Sequence, residues 1–326
     1  MKKTLLAAFV TASLALSACS MGAAEPGSGG TTADGDATGG DIKVGVILKT
    51  LSSEYWQYVA SGVKAAEREL GVTVALQGPA SETAYDEQNS MLETMLADGT
   101  IQAMVIAPLQ PDSVVSMLGS TEKPILFVDT DAPYDAKVSY VGTGNEAAAK
   151  TGGEYAAEVA GEGAQAAWIG GVQGNTTSDD REAGFRAGLE EGGVEVVVQQ
   201  YGEGLGDKAA SIMENVLTSN PDISVVVANN DDMAAGAARA AQAAGKELTI
   251  IGFDGIQAGV QNVIDGTVTA TVAQDPFGMG YQAVEAAVKA VKGEDVEDFI
   301  DTGSTVITKD NAEEYLAKLE EQLAGA

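Results

Sequence analysis

The chain has 326 residues, of which 48 are acidic and 18 basic, so its net charge is −30. This charge argues against nucleic acid and anionic lipid as partners, because both are polyanions that attract basic surfaces. There is no histidine, and the single cysteine excludes a disulfide within the chain and leaves no cysteine catalysis for the folded part.

Residues 1–18 are predicted to form an export signal peptide. Lys2 and Lys3 precede an apolar run over 5–16 that is too short to span a bilayer comfortably. The sequence Leu-Ser-Ala-Cys at 16–19 resembles the lipobox of bacterial lipoproteins, so Cys19 is predicted to be the lipidated mature N-terminus. The alternative is an ordinary cleaved signal with a chance cysteine. Residues 19–40 are then the lipidated cysteine and a disordered linker rich in Gly, Ser, Thr, Ala and Asp.

The first strand of the folded body leads into a cluster of polar and aromatic residues. The apolar run 43–48 indicates a buried parallel strand, which is followed by a polar turn with Lys49. Ser53 is a candidate N-cap, with Tyr55 and Trp56 in the first turn of the next helix. Ligands of open α/β sheets bind at the carboxyl ends of strands. The cluster is therefore predicted to bind a small polar molecule with apolar faces.

Short apolar runs then alternate with helical patterns along the body. The repeated strand–helix–strand order implies right-handed parallel crossovers and a doubly wound α/β fold. Several strand ends carry polar residues in place of ordinary turn formers, among them Asp129, Asn230, Asp254 and Gln274. The predicted strands are 72–76, 103–107, 125–128, 166–169, 194–199, 224–228, 249–252 and 268–272, and the predicted helices include 84–96, 146–160, 182–191, 208–217, 232–244 and 280–291.

Four motifs resemble the type I periplasmic sugar-binding proteins, most closely the ribose- and allose-binding members. They are Leu-Lys-Thr-Leu-Ser at 48–52, Asn-Asp-Asp-Met at 230–233, Gly-Phe-Asp-Gly at 252–255 and Thr-Val-Ala-Gln at 271–274. The resemblance extends from about residue 42 to 309 and implies two Rossmann-like lobes with parallel sheets joined by a three-strand hinge. It places the crossovers near 143–144, 274–275 and 302–303. The N-terminal lobe is then 41–143 plus 275–302, and the C-terminal lobe is 144–274 plus 303–326.

The resemblance also assigns aromatic contacts to the ligand. Tyr55 and Trp56 match the aromatic residues that sandwich the sugar ring, since the CH-rich faces of pyranoses stack on such rings. A facing aromatic is expected near 204–205, where this sequence has none. Leu205, Trp168 or Tyr201 is left as the candidate for the second wall.

The polar part of the expected site follows from the same resemblance. Asp129 matches an aspartate that accepts hydrogen bonds from sugar hydroxyls, and Arg181 matches an arginine that donates to them; the alternative for Arg181 is an ion pair with Asp179 or Asp180. Lys49 either donates to a ligand hydroxyl or extends out to water, and Asp231 is expected to cap the next helix. The full predicted ligand-binding set, with no metal and no cofactor, is Lys49, Ser53, Tyr55, Trp56, Asp129, Arg181, Asn230, Asp254 and Gln274.

The sequence thus predicts a lipid-anchored, monomeric solute-binding protein that faces the periplasm or the cell surface. It would capture a monosaccharide, a hexopyranose or related polyol, and deliver it to the membrane permease subunits of an ABC importer. The alternative is a receptor for an autoinducer-like or furanosyl signal that docks on a sensor protein. An enzyme is disfavoured, because nothing in the sequence places two acids at a catalytic separation.

Overall fold

Two parallel sheets dominate the computed structural model, which describes residues 42–119 and 121–324. The first sheet has the order β11-β5-β4-β3-β1-β2, and the second has the order β12-β10-β9-β8-β6-β7. All neighbouring strands are parallel except β10 and β12. The predicted two-lobed α/β fold is confirmed. The predicted export signal, Cys19 and the linker lie outside the described residues.

The strands and helices alternate through most of the chain. The strands are β1 Lys43–Ile47, β2 Thr73–Gln77, β3 Ala103–Ile106, β4 Ile125–Val128, β5 Ser139–Gly142, β6 Gln165–Gly170, β7 Glu195–Tyr201, β8 Ile223–Ala228, β9 Thr249–Asp254, β10 Ala270–Gln274, β11 Phe299–Asp301 and β12 Ser304–Ile307. The helices are α1 Glu54–Leu70, α2 Tyr85–Ala97, α3 Pro111–Leu118, α4 Asn145–Ala160, α5 Thr176–Glu191, α6 Gly206–Ser219, α7 Asp231–Ala243, α8 Gln257–Asp265, α9 Pro276–Lys292 and α10 Ala312–Ala324. Within the described ranges, no helix combines the length and the apolar character that crossing a membrane requires.

The chain passes from one sheet to the other at three places. β5 belongs to the first sheet, whereas α4, which follows it, packs on β8, β9, β10 and β12 of the second. β10 belongs to the second sheet, and α9 then packs on β3, β4 and β5 of the first. β11 and β12 lie in different sheets and are separated by residues 302–303. We refer to the lobe around the first sheet as the N-terminal lobe and to the other as the C-terminal lobe.

Close glycine contacts fix the two helices that carry the main candidate residues. α1 packs against α9, where a Cβ added to Gly62 would lie 2.0 Å from the carbonyl oxygen of Phe277. α5 packs against α4 in the same way, since a Cβ on Gly184 would lie 2.1 Å from the carbonyl oxygen of Glu146. Only glycine permits such an approach of backbones. These contacts fix the position of α1 against α9 and of α5 against α4.

Three strands and the starts of two helices, α5 and α9, differ from the sequence prediction; α9 begins at Pro276 rather than at 280. β5, β11 and β12 are absent from the predicted set, and they are only three or four residues long. α5 begins at Thr176 rather than at 182, because Asn175 caps it by accepting a hydrogen bond from the backbone N–H of Thr177 at 3.2 Å. Arg181 consequently lies inside the helix rather than before its start.

Candidate functional site

The candidate site lies where the carboxyl ends of strands from the two lobes face each other. Lys49 follows β1 and Asp129 follows β4 in the N-terminal lobe, while Asp254 and Gln274 end β9 and β10 in the C-terminal lobe. Arg181 joins them from α5. All of these side chains are buried, which is unusual for charged groups and requires that they pair.

Asp129 is the centre of the N-terminal wall. Its carboxylate accepts a hydrogen bond from the Tyr55 hydroxyl at 2.8 Å and one from the Thr130 hydroxyl at 2.8 Å, and Lys49 Nζ lies 3.2 Å away. Burial raises the pKa of Asp129, but Lys49 and Arg181 lower it further, so the net pKa is below the ordinary value. Asp129 is therefore an ionised acceptor.

Three side chains, those of Tyr55, Lys49 and Glu82, contact the indole of Trp56. Its ring meets Tyr55 edge-on at a centroid distance of 5.2 Å, and Lys49 Nζ lies 5.6 Å from the Trp56 ring centroid. The indole N–H donates to Glu82 Oε1 at 2.8 Å. Ser53 precedes the helix but does not cap it, and its buried hydroxyl has no partner in the described chain. The indole is thus fixed in one orientation.

Arg181 is the centre of the C-terminal wall. Nε donates to Asn145 Oδ1 at 2.8 Å, and Nη1 donates to the carbonyl oxygen of Asn229 at 2.7 Å. Nη1 also lies 3.4 Å from Asp254 Oδ1, and the guanidinium stacks on the Phe253 ring at 3.8 Å. The ion pair with Asp179 or Asp180 that the sequence left open is not formed, because α5 turns Arg181 inward to Asp254.

Asp254 shares its carboxylate between Arg181 and Gln274, whose Nε2 donates to Oδ1 at 2.8 Å. Burial raises its pKa well above the ordinary value, Arg181 lowers it, and Asp231 and Asp129 raise it. The backbone is strained at both site aspartates, with φ of 64° at Asp129 and 115° at Asp254. Such conformations cost roughly 1–3 kcal/mol each and concentrate at ligand sites.

Direct hydrogen bonds join the lobes beside the site. The hydroxyls of Thr130 and Thr177 lie 2.7 Å apart, and the Thr176 hydroxyl donates to the carbonyl oxygen of Asp131 at 2.9 Å. The Arg181 charge also acts on Asp129 of the opposite wall. The structure therefore describes a closed arrangement in which the two walls lie opposite each other.

The predicted capping role of Asp231 in α7 is wrong. The helix is capped by Asn230 rather than by Asp231, since Asn230 Oδ1 accepts from the backbone N–H of Met233 at 2.9 Å. Asn230 Nδ2 donates to the carbonyl oxygen of Gly204 at 3.2 Å. Asp231 instead accepts from the Thr271 hydroxyl at 2.6 Å and from the backbone N–H of Ile256 at 3.0 Å. Through the contact with Ile256, Asp231 stabilises the loop that follows Asp254.

The candidates for a second aromatic wall are separated by their packing. Trp168 is buried in the core of the C-terminal lobe against Phe185, so it does not face the site. The Tyr201 hydroxyl accepts from Gln199 Nε2 at 2.7 Å. Leu205 is 45% exposed next to Gly204, the glycine that faces Glu82.

Three further residues of the site lay outside the predicted set. Asn145 and Asn229 both bind Arg181, and the Asn229 side-chain oxygen is buried without a partner in the described chain. Glu82 binds Trp56. Asn229 and Glu82 follow β8 and β2, so their position after a strand was the available signal. Asn145 gave none, because it comes from the start of a helix.

Comparisons with known proteins identify the family and the fold of the chain. Residues 44–295 match the family described as periplasmic binding protein domain. The ribose import binding protein of Salmonella typhimurium is 31% identical over 258 residues, which cover 78% of this chain and 86% of that protein. The D-allose-binding periplasmic protein of Escherichia coli is 30% identical over 261 residues, covering 76% and 84%.

Solved structures share the fold over nearly their whole length. An ABC transporter solute-binding protein of Agrobacterium vitis with bound D-fucose is 31% identical, with a TM-score of 0.79 and coverage of 85% of this chain and 98% of that one. A solute-binding protein of Bacillus halodurans with bound myo-inositol is 28% identical, with a TM-score of 0.77 and coverage of 86% and 99%. The chain therefore belongs to the periplasmic binding protein family and is a type I sugar-binding protein.

Proposed function

We propose that the chain is a lipid-anchored solute-binding protein that captures a hexopyranose or related polyol and delivers it to an ABC importer. The observation that carries the proposal is the pair of buried polar walls, Lys49 with Asp129 and Arg181 with Asp254, which face each other from two lobes. Its relatives are binding proteins rather than enzymes.

The chemistry of the walls suits a ring with many hydroxyls. Ionised Asp129 accepts hydrogen bonds, and the cations Lys49 and Arg181 donate them. Such charge-assisted bonds are short and directional, so a missing or inverted hydroxyl leaves a buried group unpaired. Trp56 adds an apolar surface for the CH face of the ring. These features favour a polyol over an amino acid or a peptide.

The named ligands of the relatives support a cyclic polyol. The structures from Agrobacterium vitis and Bacillus halodurans are described with bound D-fucose and myo-inositol, and the Escherichia coli relative is named for D-allose. Within the family, Lys49 in the turn after β1 favours the allose-like over the ribose-like pattern. We therefore favour a hexopyranose ring.

Fluorescence and calorimetric titrations with a panel of hexoses, pentoses and inositols test which ligand binds. The chain has two tryptophans, so a Trp168→Phe background leaves Trp56 as the only indole reporter. We expect one-to-one binding with a Kd in the micromolar range or tighter, about −8 kcal/mol, without added metal. Saturation by an amino acid or peptide, with no heat from any sugar or polyol, would refute the proposal. Selective binding of furanosyl ligands would favour the signal-receptor alternative.

The anchor is tested separately from the ligand site. Cys19→Ala is expected to release the protein from the membrane or stall its processing, because lipidation requires the sulfur. A protein starting at Asp41 is expected to keep its affinity, since Ile42 is already buried against the N-terminal core. Membrane fractionation and calorimetry measure the two effects. Failure of the shortened protein to fold would show that the predicted boundary is wrong.

A further inference from the structure

Glu82 reaches the candidate site from the loop between β2 and α2 and contacts Trp56 there. Its Oε1 accepts the Trp56 indole N–H at 2.8 Å, so the carboxylate is attached to the ring proposed to hold the ligand. A Cβ added to Gly204 of the opposite lobe would lie 3.4 Å from Glu82 Oε2 and 3.7 Å from Asn230 Nδ2. Glu82 therefore lies against the Gly204 backbone, near the position where no aromatic wall is present.

Glu82 has no paired cation beside it, because both nearby cations contact other aspartates. Lys49 pairs with Asp129 at 3.2 Å and Arg181 pairs with Asp254 at 3.4 Å, which uses both cations. Glu82 takes part in no ion pair among the described residues, and its Oε2 accepts no hydrogen bond from them. Glu82 is half-buried, and a partly desolvated anion without a paired cation is stabilised by a positively charged partner.

The raised pKa of Glu82 agrees with its lack of a paired cation. Burial raises its pKa above the ordinary value, while Lys49 and the hydrogen bond from Trp56 lower it and Asp129 and Asp232 raise it. Lys49 thus acts on Glu82 but is committed by contact to Asp129. Glu82 has one oxygen oriented by Trp56 and a second that remains available.

We propose that Glu82 contacts the ligand and selects a sugar or cyclic polyol that carries a protonated amino group. The inference rests on the proposed sugar-binding function and specifies the ligand class of the same site. The ammonium group donates charge-assisted hydrogen bonds to Oε2 and supplies the missing cation. A neutral hydroxyl donates to the same oxygen but leaves the charge of the carboxylate uncompensated.

Calorimetry with matched ligand pairs tests the proposal. D-Glucosamine, D-galactosamine and D-mannosamine are compared with D-glucose, D-galactose and D-mannose at a pH at which the amine is protonated and at low salt. We expect at least one amino sugar to bind tenfold or more tightly than its neutral parent. Glu82→Gln keeps an acceptor for Trp56 but removes the charge, and it is expected to reduce that ratio to twofold or less. The melting temperature of the ligand-free variant checks that it is folded.

A matched control separates local from long-range charge. Glu190→Gln removes one exposed carboxylate from α5, whose side chain is 57% exposed, and it is expected to leave the ratio unchanged. Neutral sugars that bind as tightly as every amino sugar, or a ratio that survives Glu82→Gln, would overturn the inference while leaving the proposed function intact. The absence of binding by any sugar would refute both.

Discussion

Arg181 illustrates how one buried cation serves the fold and the site together. Its Nε and Nη1 atoms are bound by Asn145, Asn229 and Asp254, and its flat face covers Phe253. Nη2 donates to no described residue, and this edge of the guanidinium is the one proposed to bind the ligand. Lysine cannot reproduce this geometry, because it lacks the planar arrangement of donors.

We therefore expect Arg181→Lys to weaken both binding and stability. Affinity for the best sugar should fall by about 2–5 kcal/mol, mostly through faster dissociation, because a charge-assisted contact of the closed state is lost. The free energy of unfolding without ligand should fall by roughly 1–3 kcal/mol, since Asn145 Oδ1 and the Asn229 carbonyl lose their donor. Calorimetry and urea denaturation measure the two quantities. A variant with unchanged affinity and reduced stability would show that Arg181 is purely structural.

Most helices and most strands were predictable, whereas the short strands β5, β11 and β12 were not. β3 and β4 are continuous apolar, buried runs, and such a run predicts a strand of a parallel sheet. β11 and β12 are mostly exposed strands of three and four residues, so no apolar period marks them. Their pairing is fixed by the crossovers, which are a property of the whole chain.

The same distinction applies to the site. Asp129 and Gln274 were visible because polar residues at the end of a buried strand are unusual. The capping of α7 by Asn230 and not by its neighbour depends on an exact backbone angle, and the contact of Asn145 with Arg181 joins residues 36 positions apart. Neither contact can be predicted from the spacing of neighbouring residues in the sequence.

The start of α5 contributes a contact that exists only between closed lobes. The Thr130 hydroxyl donates to Asp129 at 2.8 Å, so it accepts from the Thr177 hydroxyl at 2.7 Å across the lobes. Thr177 thus completes a chain of hydrogen bonds that ends on the Asp129 carboxylate, which is proposed to bind the ligand. When the lobes open, both hydroxyls are free to bind water, so the contact should act on closure rather than on folding.

Thr177→Val should consequently raise the Kd about fivefold, which corresponds to about 1 kcal/mol, because Thr130 loses its donor in the closed state. Unfolding without ligand should change by less than about 0.5 kcal/mol. In a cycle with Thr130→Val, the double variant should lose less affinity than the sum of the single variants. Thr218→Val, an exposed threonine of α6, serves as the control. Additive losses in the cycle would contradict the direct contact.

The molecule as a whole carries a large negative charge, and the buried acids Asp231 and Asp254, whose pKa values are raised, make its stability depend on pH in the same direction. Burial raises the pKa of Asp231 from 3.8 to about 7, against the hydrogen bonds from Thr271 and the backbone that lower it. Between these two values the native state holds a proton that the unfolded chain has released. Stability must then fall as the pH rises, because the native state binds more protons. The net charge of −30 also makes the protein more stable at lower pH, because protonation of acids reduces the repulsion between negative charges.

We therefore expect the ligand-free protein to be more stable at pH 5.5 than at pH 8, with Asp231 contributing about 2 kcal/mol of the difference. Asp129 opposes this trend only at more acidic pH, because its lowered pKa stabilises the native state until the pH falls through that value. Urea denaturation at several pH values, on the protein and on Asp231→Asn, measures the Asp231 part. The slope should flatten in Asp231→Asn but persist in Asp222→Asn, which alters an exposed acid before β8 and so controls for net charge. Equal slopes in all three proteins would mean that the buried aspartate is ionised throughout and that self-repulsion alone sets the pH dependence.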